Sequence, residues 1–404
     1  MTHGEKKSLC VLLALVFAVS AVGHATAGKN EPDTASWNIL CYLQADNNLN
    51  DLTQEDLDEF MAVGSSDEVN VLVLMDKLDA PAYMYYIVPG DMVLLEDYAY
   101  SGEEINTGDP AVFEDFLVYT ETNYPAEHTL IFFWDHGSPT AGVGVDETTP
   151  EGVRDWLTHH EVIDVLKDHT VEVLAMDECS IGQIEVAVEY ARNLDTEYLV
   201  ASESYIGYRG FPYDWILERL VDEPDMTPFE LSVVCVEEFE RLFMTTPYRT
   251  EILTTQSVIA LDQIELLAAE FGHLLNALIT DLPEYEGIIG AAQREAIMPW
   301  GARSMGTIDL PTFVQAIAEA APENSEVEQN AMDVLEVYES AVPAMGGTMN
   351  SEKYGYQGLG ILFPQSASFL TISYASMFEV YKTFDFPDDG WLQFLEAYWG
   401  VDLI

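Results

Sequence analysis

The residues of this chain best suited to chemistry are Cys179 and His136, because each closes an apolar run. Cys179 ends Val171-Glu-Val-Leu-Ala-Met-Asp-Glu-Cys179, and His136 ends His128-Thr-Leu-Ile-Phe-Phe-Trp-Asp-His136, with Gly137 directly after it. A thiol beside an imidazole is a nucleophile beside a general base: the imidazole takes the thiol proton and later protonates a leaving amine. Each run is followed by a helix-like pattern, so both read as central strands of a parallel sheet. In open α/β sheets the working residues collect just beyond the carboxyl ends of the strands. The two side chains are therefore expected to face each other across one crevice. Taken singly, each has a plainer explanation, a satisfied core histidine and an inert buried cysteine; the paired placement is what favours catalysis.

Neighbouring residues extend the pattern. Gly137 lets a backbone N–H approach a ligand closely, so it can share an oxyanion hole with the Cys179 N–H, or be a turn glycine. Asp177 lies two residues before Cys179, on the same face, where a carboxylate can floor a pocket for a basic side chain or cap the next helix. Cys179 itself, between strand and helix, sits where a helix N-terminus lowers a thiol pKa. Asp46-Asn-Asn-Leu-Asn-Asp51 invites comparison with a calcium loop, but Asp51 and Leu57 stand where that template needs Gly and Glu. The segment reads as a strand end and helix cap instead. His159-His160 reads as surface, and no metal ligands are assigned. Gly142-Val-Gly144 lacks the third glycine of a dinucleotide loop, and no Gly-x-Ser-x-Gly elbow is present.

Composition sets the limits. The 404 residues carry 15 Lys+Arg against 71 Asp+Glu, a formal net charge of −56, which repels nucleic acid and attracts cations. Such acidity also fits solubility in a saline or acidic milieu. Lys6 and Lys7 precede an apolar run from Leu9 to Val22, and Ala25-Thr-Ala27 follows as a small-residue cleavage site. Residues 1–27 thus read as a secretory signal peptide, too short and wrongly flanked for a membrane span, and 28–35 as a polar leader. No other stretch is apolar enough to span a membrane, so the mature chain is expected to be exported and without one. Three cysteines remain after Cys10 leaves with the signal, and an odd count leaves a thiol unpaired. Cys41 and Cys235 lie inside apolar patterns and read as buried hydrophobes.

The elements that must position these residues alternate. Strands are expected at 37–43, 69–75, 128–135, 171–179 and 198–202, a hairpin at 82–98, and helices at 50–63, 111–123, 157–169 and 183–194. Beyond about residue 225, helices dominate (228–244, 262–279, 311–321), with strands at 257–260 and 358–364. The fold class is α/β, with a mostly parallel sheet, helices on both faces, and a helix-rich C-terminal half packed on it or lending it strands.

The chain resembles the clostripain family of cysteine peptidases, relatives of caspases. The resemblance rests on Tyr42-Leu-Gln-Ala-Asp-Asn-Asn-Leu49, Asp135-His-Gly137, Asp177-Glu-Cys179, Gly182-Gln-Ile-Glu-Val186, Ala201-Ser-Glu203, Gly210-Phe-Pro-Tyr213 and Gly358-Leu-Gly-Ile-Leu-Phe-Pro364. It implies a caspase-like α/β/α sandwich, with a peptidase core over 36–248 and a helix-rich region over 249–404. Cys179 would be the nucleophile, His136 the acid/base, and Asp177 the selector of Arg or Lys before the scissile bond. Two positions depart from the family pattern. Glu178 replaces a small residue and is expected to raise the thiol pKa. Arg209 stands where members often carry Asp, which opposes a basic preference. Relatives are often cut between the His and Cys motifs, which makes Arg154 the expected self-cleavage point, and some use calcium, so Ca2+ is an optional ligand with no cofactor required. The expected partners are peptide or protein substrates. The alternatives are an inactive peptide-binding protein or a calcium-loaded envelope protein of the same fold.

Overall fold

A computed structural model describes residues 34–78, 80–245 and 252–403. The expected signal peptide, 1–27, lies outside the described residues, as do leader residues 28–33 and the 248/249 boundary. Nine strands form one sheet: β1 (Ala35–Ala45), β2 (Val69–Lys77), β3 (Ala80–Val88), β4 (Asp91–Leu94), β5 (Ala126–Trp134), then, past three short strands, β9 (Val173–Asp177), β10 (Tyr198–Ala201), β11 (Thr255–Ala260) and, past the short strand β12 (Thr307–Asp309), β13 (Ala344–Gly347). Their order is β13-β11-β10-β9-β5-β1-β2-β3-β4. The five from β10 to β2 run parallel, and both edges turn antiparallel. The short strands β6 (Gly137–Ser138), β7 (Gly142–Asp146) and β8 (Asp155–Leu157) make a separate three-stranded sheet beside the His136 turn.

Burial on both faces explains the unbroken apolar runs. Along β1, Trp37, Ile39, Cys41 and Leu43 face one cluster, with Leu57 and Phe60 of α1 (Thr53–Val63). The helices at Tyr213–Asp222 and Pro228–Thr245 complete that layer, and Cys235 is buried in it. Leu40 and Tyr42 face the other cluster, with α2 (Pro110–Asn123), α3 (His159–Leu166) and α4 (Ile184–Asn193). Local signals start these helices. Asp109 caps α2 ahead of Pro110, and Thr158 with Glu161 forms a capping box on α3. Chain order reverses between β1 and β5: the chain proceeds from β1 to β2 on one side and from β5 through β9 to β10 on the other. That reversal opens a crevice beyond the carboxyl ends of β1 and β5.

Two expectations are corrected. The segment 358–364 is a strand only at Gly360–Leu362, and it pairs with Thr307–Asp309 in its own two-stranded sheet. Helices at Tyr213–Asp222, Leu282–Glu295 and Glu326–Ala341 also lie outside the expected set.

Glu185 shows how buried acids staple the two halves. Its Oε1 accepts from the Leu362 N–H (2.8 Å) and the Tyr381 hydroxyl (3.0 Å). Burial pushes its pKa up to about 7, against those two hydrogen bonds. A carboxyl raised in the folded state stabilises fully below its unfolded pKa, about 4.3, and loses that contribution as pH climbs through 7. Stability should therefore fall between pH 5 and pH 8. Glu185→Gln keeps the Oε1 acceptor and should shrink that fall by roughly 3 kcal/mol, read from chemical denaturation at both pH values.

Candidate active site

The site is built by register. Trp134, the last residue of β5, pairs with Asp177, the last of β9. His136 and Cys179 each lie two residues beyond that pair, on neighbouring strands roughly 4.8 Å apart. Gly137 closes the gap. A Cβ there would stand 2.6 Å from the Cys179 carbonyl oxygen and 2.8 Å from the Glu178 Cβ, so only glycine lets the two turns touch.

The imidazole is held from the β1 end. His136 Nε2 lies 3.0 Å from Asn48 Oδ1, which only accepts, so Nε2 carries the proton and Nδ1 is the basic nitrogen. Burial lowers the His136 pKa, and Arg154 lowers it further. Asn47 donates to Asp135 Oδ1 (2.8 Å) and to the Val145 carbonyl (3.0 Å), tying the β1 end to β7 and the His136 turn. Behind the turn, His159 is buried: Nε2 donates to the Ser138 carbonyl (2.9 Å) and Nδ1 accepts from Tyr190 (2.8 Å). The surface reading of His159 is thus corrected. Its burial comes from α4, which supplies Tyr190, and holds its pKa down to about 4.

The thiol is oriented differently. Cys179 Sγ accepts from the Ile206 N–H (3.4 Å), and among the described residues no hydrogen bond joins it to His136. Ser180 follows with φ of 61°, a left-handed turn that a non-glycine residue adopts at a cost of about 1 kcal/mol or more. The next helix begins only at Ile184, so the helix N-terminus expected to lower the thiol pKa lies too far along the chain. Burial instead pushes Cys179 from 9.0 up to about 11; the Ile206 N–H opposes this, and Glu178, Asp177 and Asp135 add to it. Glu178 is itself buried, accepts from the Gly144 N–H (3.0 Å), and is held well above the usual carboxylate range by burial and by Asp135. Two pKa units are roughly 3 kcal/mol against the thiolate.

With this geometry established, comparison with known proteins is decisive. Residues 41–399 match the clostripain family. The chain belongs to the clostripain family of cysteine peptidases. Clostripain of Hathewaya histolytica is 26% identical over 278 residues, 55% of this chain and 52% of the relative, so the match spans about half of that protein's length. Two solved structures share the fold. A secreted C11 cysteine protease of Bacteroides thetaiotaomicron bound to an irreversible peptide inhibitor has a TM-score of 0.64 and 17% identity, covering 86% of this chain and 99% of its own. An inactive zymogen C11 protease of Parabacteroides distasonis has a TM-score of 0.65 and 18% identity, covering 89% and 99%.

In this clostripain-family chain the remaining expected residues are Asp177, Arg209 and Arg154. Asp177 is buried under Gly210, with its Oδ2 accepting from the Tyr213 hydroxyl (2.6 Å) and the Phe211 N–H (3.1 Å). Burial raises its pKa to about 6, limited by those bonds. A Cβ on residue 210 would stand 2.2 Å from Asp177 Oδ2, so the Gly210 backbone covers the carboxylate closely. Arg209 turns to α1, pairing with Glu55 and, at 3.2 Å, with Glu59. Arg154 is exposed between β7 and β8, its guanidinium 5.5 Å from the centre of the Trp156 ring. Sequence reasoning missed Asn48 and His159, although Asn48 lay within the strand-end segment it had quoted.

Because the resting thiol is protonated, alkylation of Cys179 by iodoacetamide should still be rising with pH at 9.5 in the folded protein. A plateau already reached by pH 8, with Cys179 located by mass spectrometry, would indicate a thiolate–imidazolium pair at rest instead.

Proposed function

We propose that the chain is an exported cysteine endopeptidase working through a Cys179–His136 dyad. The supporting observation is the β5–β9 register, which sets both residues two positions beyond one strand pair with Gly137 packed on the Cys179 carbonyl. His136 Nδ1 takes the Sγ proton as sulfur bonds to the scissile carbonyl carbon, and the C=O electron pair moves to oxygen. The Gly137 and Cys179 N–H groups are assigned to that oxyanion. Collapse breaks the C–N bond, His136 gives its proton to the amine, and water then releases the acyl group from sulfur. Asn48 and His159 act through position, the first on the ring and the second on the turn beneath it.

Cleavage is proposed after Arg or Lys. The pairing of Arg209 with Glu55 and Glu59 supports this, since two carboxylates take up its charge, and Asp177 adds a further negative group at depth. A basic side chain would reach Asp177 once the Gly210 turn moves. Export is proposed on the signal-like residues 1–27. Self-cleavage is proposed at Arg154, in an exposed loop whose charge is felt at His136.

On fluorogenic peptides differing only before the cut, Arg or Lys should exceed Asp by at least tenfold. Cys179→Ala should lose on the order of 10³-fold or more, and His136→Ala about 10²–10⁴-fold. Glu55→Gln combined with Glu59→Gln should release Arg209 and narrow the Arg-to-Asp ratio. A folded protein that cleaves nothing would support the inactive peptide-binding reading. During incubation of active protein, a new N-terminus should appear at Asp155 and be absent in Arg154→Gln.

A further inference from the structure

Beyond the ends of β9 and β10 the two connecting segments run side by side. The Ser180 N–H donates to the Ser204 carbonyl (2.9 Å), and the Gly182 N–H to the Ser202 carbonyl (2.8 Å). A Cβ on Gly182 would stand 2.7 Å from the Ser202 carbonyl carbon, so the segments lie in close contact. The first segment carries Cys179, and the second leads to Ile206, whose N–H lies 3.4 Å from Sγ. Their separation therefore decides whether the sulfur keeps that hydrogen bond.

Gln183 stands where the two segments meet. It is buried and precedes α4, at the position where a polar side chain ordinarily caps a helix, yet its amide makes no cap. Nε2 donates instead back to the Ser180 carbonyl (3.3 Å) and across to the Glu203 carbonyl (3.2 Å). Chemistry fixes that orientation, since an amide oxygen in the same place would face two acceptors. Oε1 lies against Gly360, where a Cβ would stand 2.2 Å from it, and the Gly360 N–H donates to the Gly182 carbonyl (2.9 Å). The amide is thus held from behind by the helix-rich half. Oε1 has no hydrogen-bond partner among the described residues, a burial cost that an apolar side chain of similar length would avoid. What the position uses is the pair of donors on Nε2.

We propose that Gln183 is a positioning residue for the thiol: its amide ties the Cys179 turn to the 203–206 segment and so holds Sγ against the Ile206 N–H. The inference rests on Cys179 as the nucleophile. One arm of the amide satisfies the carbonyl of left-handed Ser180, a buried group that needs a partner for the turn to keep its shape. The other holds residue 203, three positions before Ile206. Without these donors the two carbonyls lose their common partner and the segments relax apart. The Ile206 N–H favours thiolate over thiol, against burial, so its loss makes Cys179 harder to ionise. Gln183 is too deeply buried to touch a peptide, so its removal acts on kcat and leaves KM.

The test compares the full chain with Gln183→Met, which lacks donors, with Gln183→Glu, and with Gln293→Met as a control. Gln293 makes the same kind of fork in the helix-rich half, its Nε2 donating to the Phe363 (3.2 Å) and Pro364 (2.8 Å) carbonyls. The readouts are iodoacetamide alkylation of Cys179 at about pH 9, located by mass spectrometry, and kcat and KM on an Arg peptide. Gln183→Met should slow alkylation about tenfold, as expected for one hydrogen bond to a charged group, and lower kcat similarly with KM within about twofold. Gln293→Met should lower Tm yet leave both readouts unchanged. Gln183→Glu keeps the shape, and its acid form has one O–H to donate where its carboxylate has none. Its kcat relative to the parent should therefore be higher at about pH 5.5 than at about pH 8.5, while the ratio for Gln183→Met stays flat. Dividing by the parent at each pH cancels the titration of Glu185, Glu203 and His136, which the variants share. If Gln183→Met does not fold, the Gln183→Glu ratio decides, and a flat one overturns the proposal. It is also overturned if folded Gln183→Met alkylates and turns over like the parent, if the loss lies in KM alone, or if Gln293→Met slows alkylation equally. A parent that cleaves nothing would sink the peptidase reading instead, and the alkylation comparison would still decide the role of Gln183.

Discussion

One packing contact governs the site: Gly137 against the Cys179 carbonyl, fixed by the parallel register of β5 and β9. Ladder hydrogen bonds and two buried faces set that register, because a one-residue slip would drive every core side chain of β5 into the cluster on the opposite face. Phe132 and Phe133 anchor it from opposite faces, and truncating either would cost about 3–5 kcal/mol. The reactive pair is therefore positioned by the core of the sheet, and the loops only adjust it. Asn48 sets the ring, the Ile206 N–H sets the sulfur, and the left-handed Ser180 turns the chain away beneath them.

Electrostatics around the pair follow from the same arrangement. Asp135, Asp177 and Glu178 are all buried beside the strand ends that carry His136 and Cys179, each accepting from specific N–H or O–H donors and none touching a cation among the described residues, while Glu178 Oε2 has no partner there. Such a site favours neutral thiol and neutral imidazole at rest. In the proposed mechanism, charge separation waits until a substrate carbonyl is present to receive it. Arg209, next in the chain to the Gly210 that covers Asp177, is turned aside by two glutamates of α1.

Much of this was legible in the sequence because it depends on local pattern. Apolar runs ending in Asp-His-Gly and Asp-Glu-Cys announced two central strands, and the family resemblance agrees with the family match. What was hidden depends on residues brought together from afar. The cover over Asp177 comes from Gly210 to Tyr213, and the burial of His159 from Tyr190. The sheet that the short strand at Gly360–Leu362 joins was open in the sequence, because an apolar run does not say which partner it will pair with.

The central claim is that Cys179 is the nucleophile and His136 its base. The most direct measurement is covalent trapping with an irreversible peptidyl ketone bearing Arg next to the reactive carbon, followed by peptide mapping of the adduct. The account predicts one adduct, on Cys179, with Cys41 and Cys235 unmodified and the trapping rate reduced at least tenfold in His136→Ala. Labelling at another residue, or an unchanged rate without His136, would contradict it.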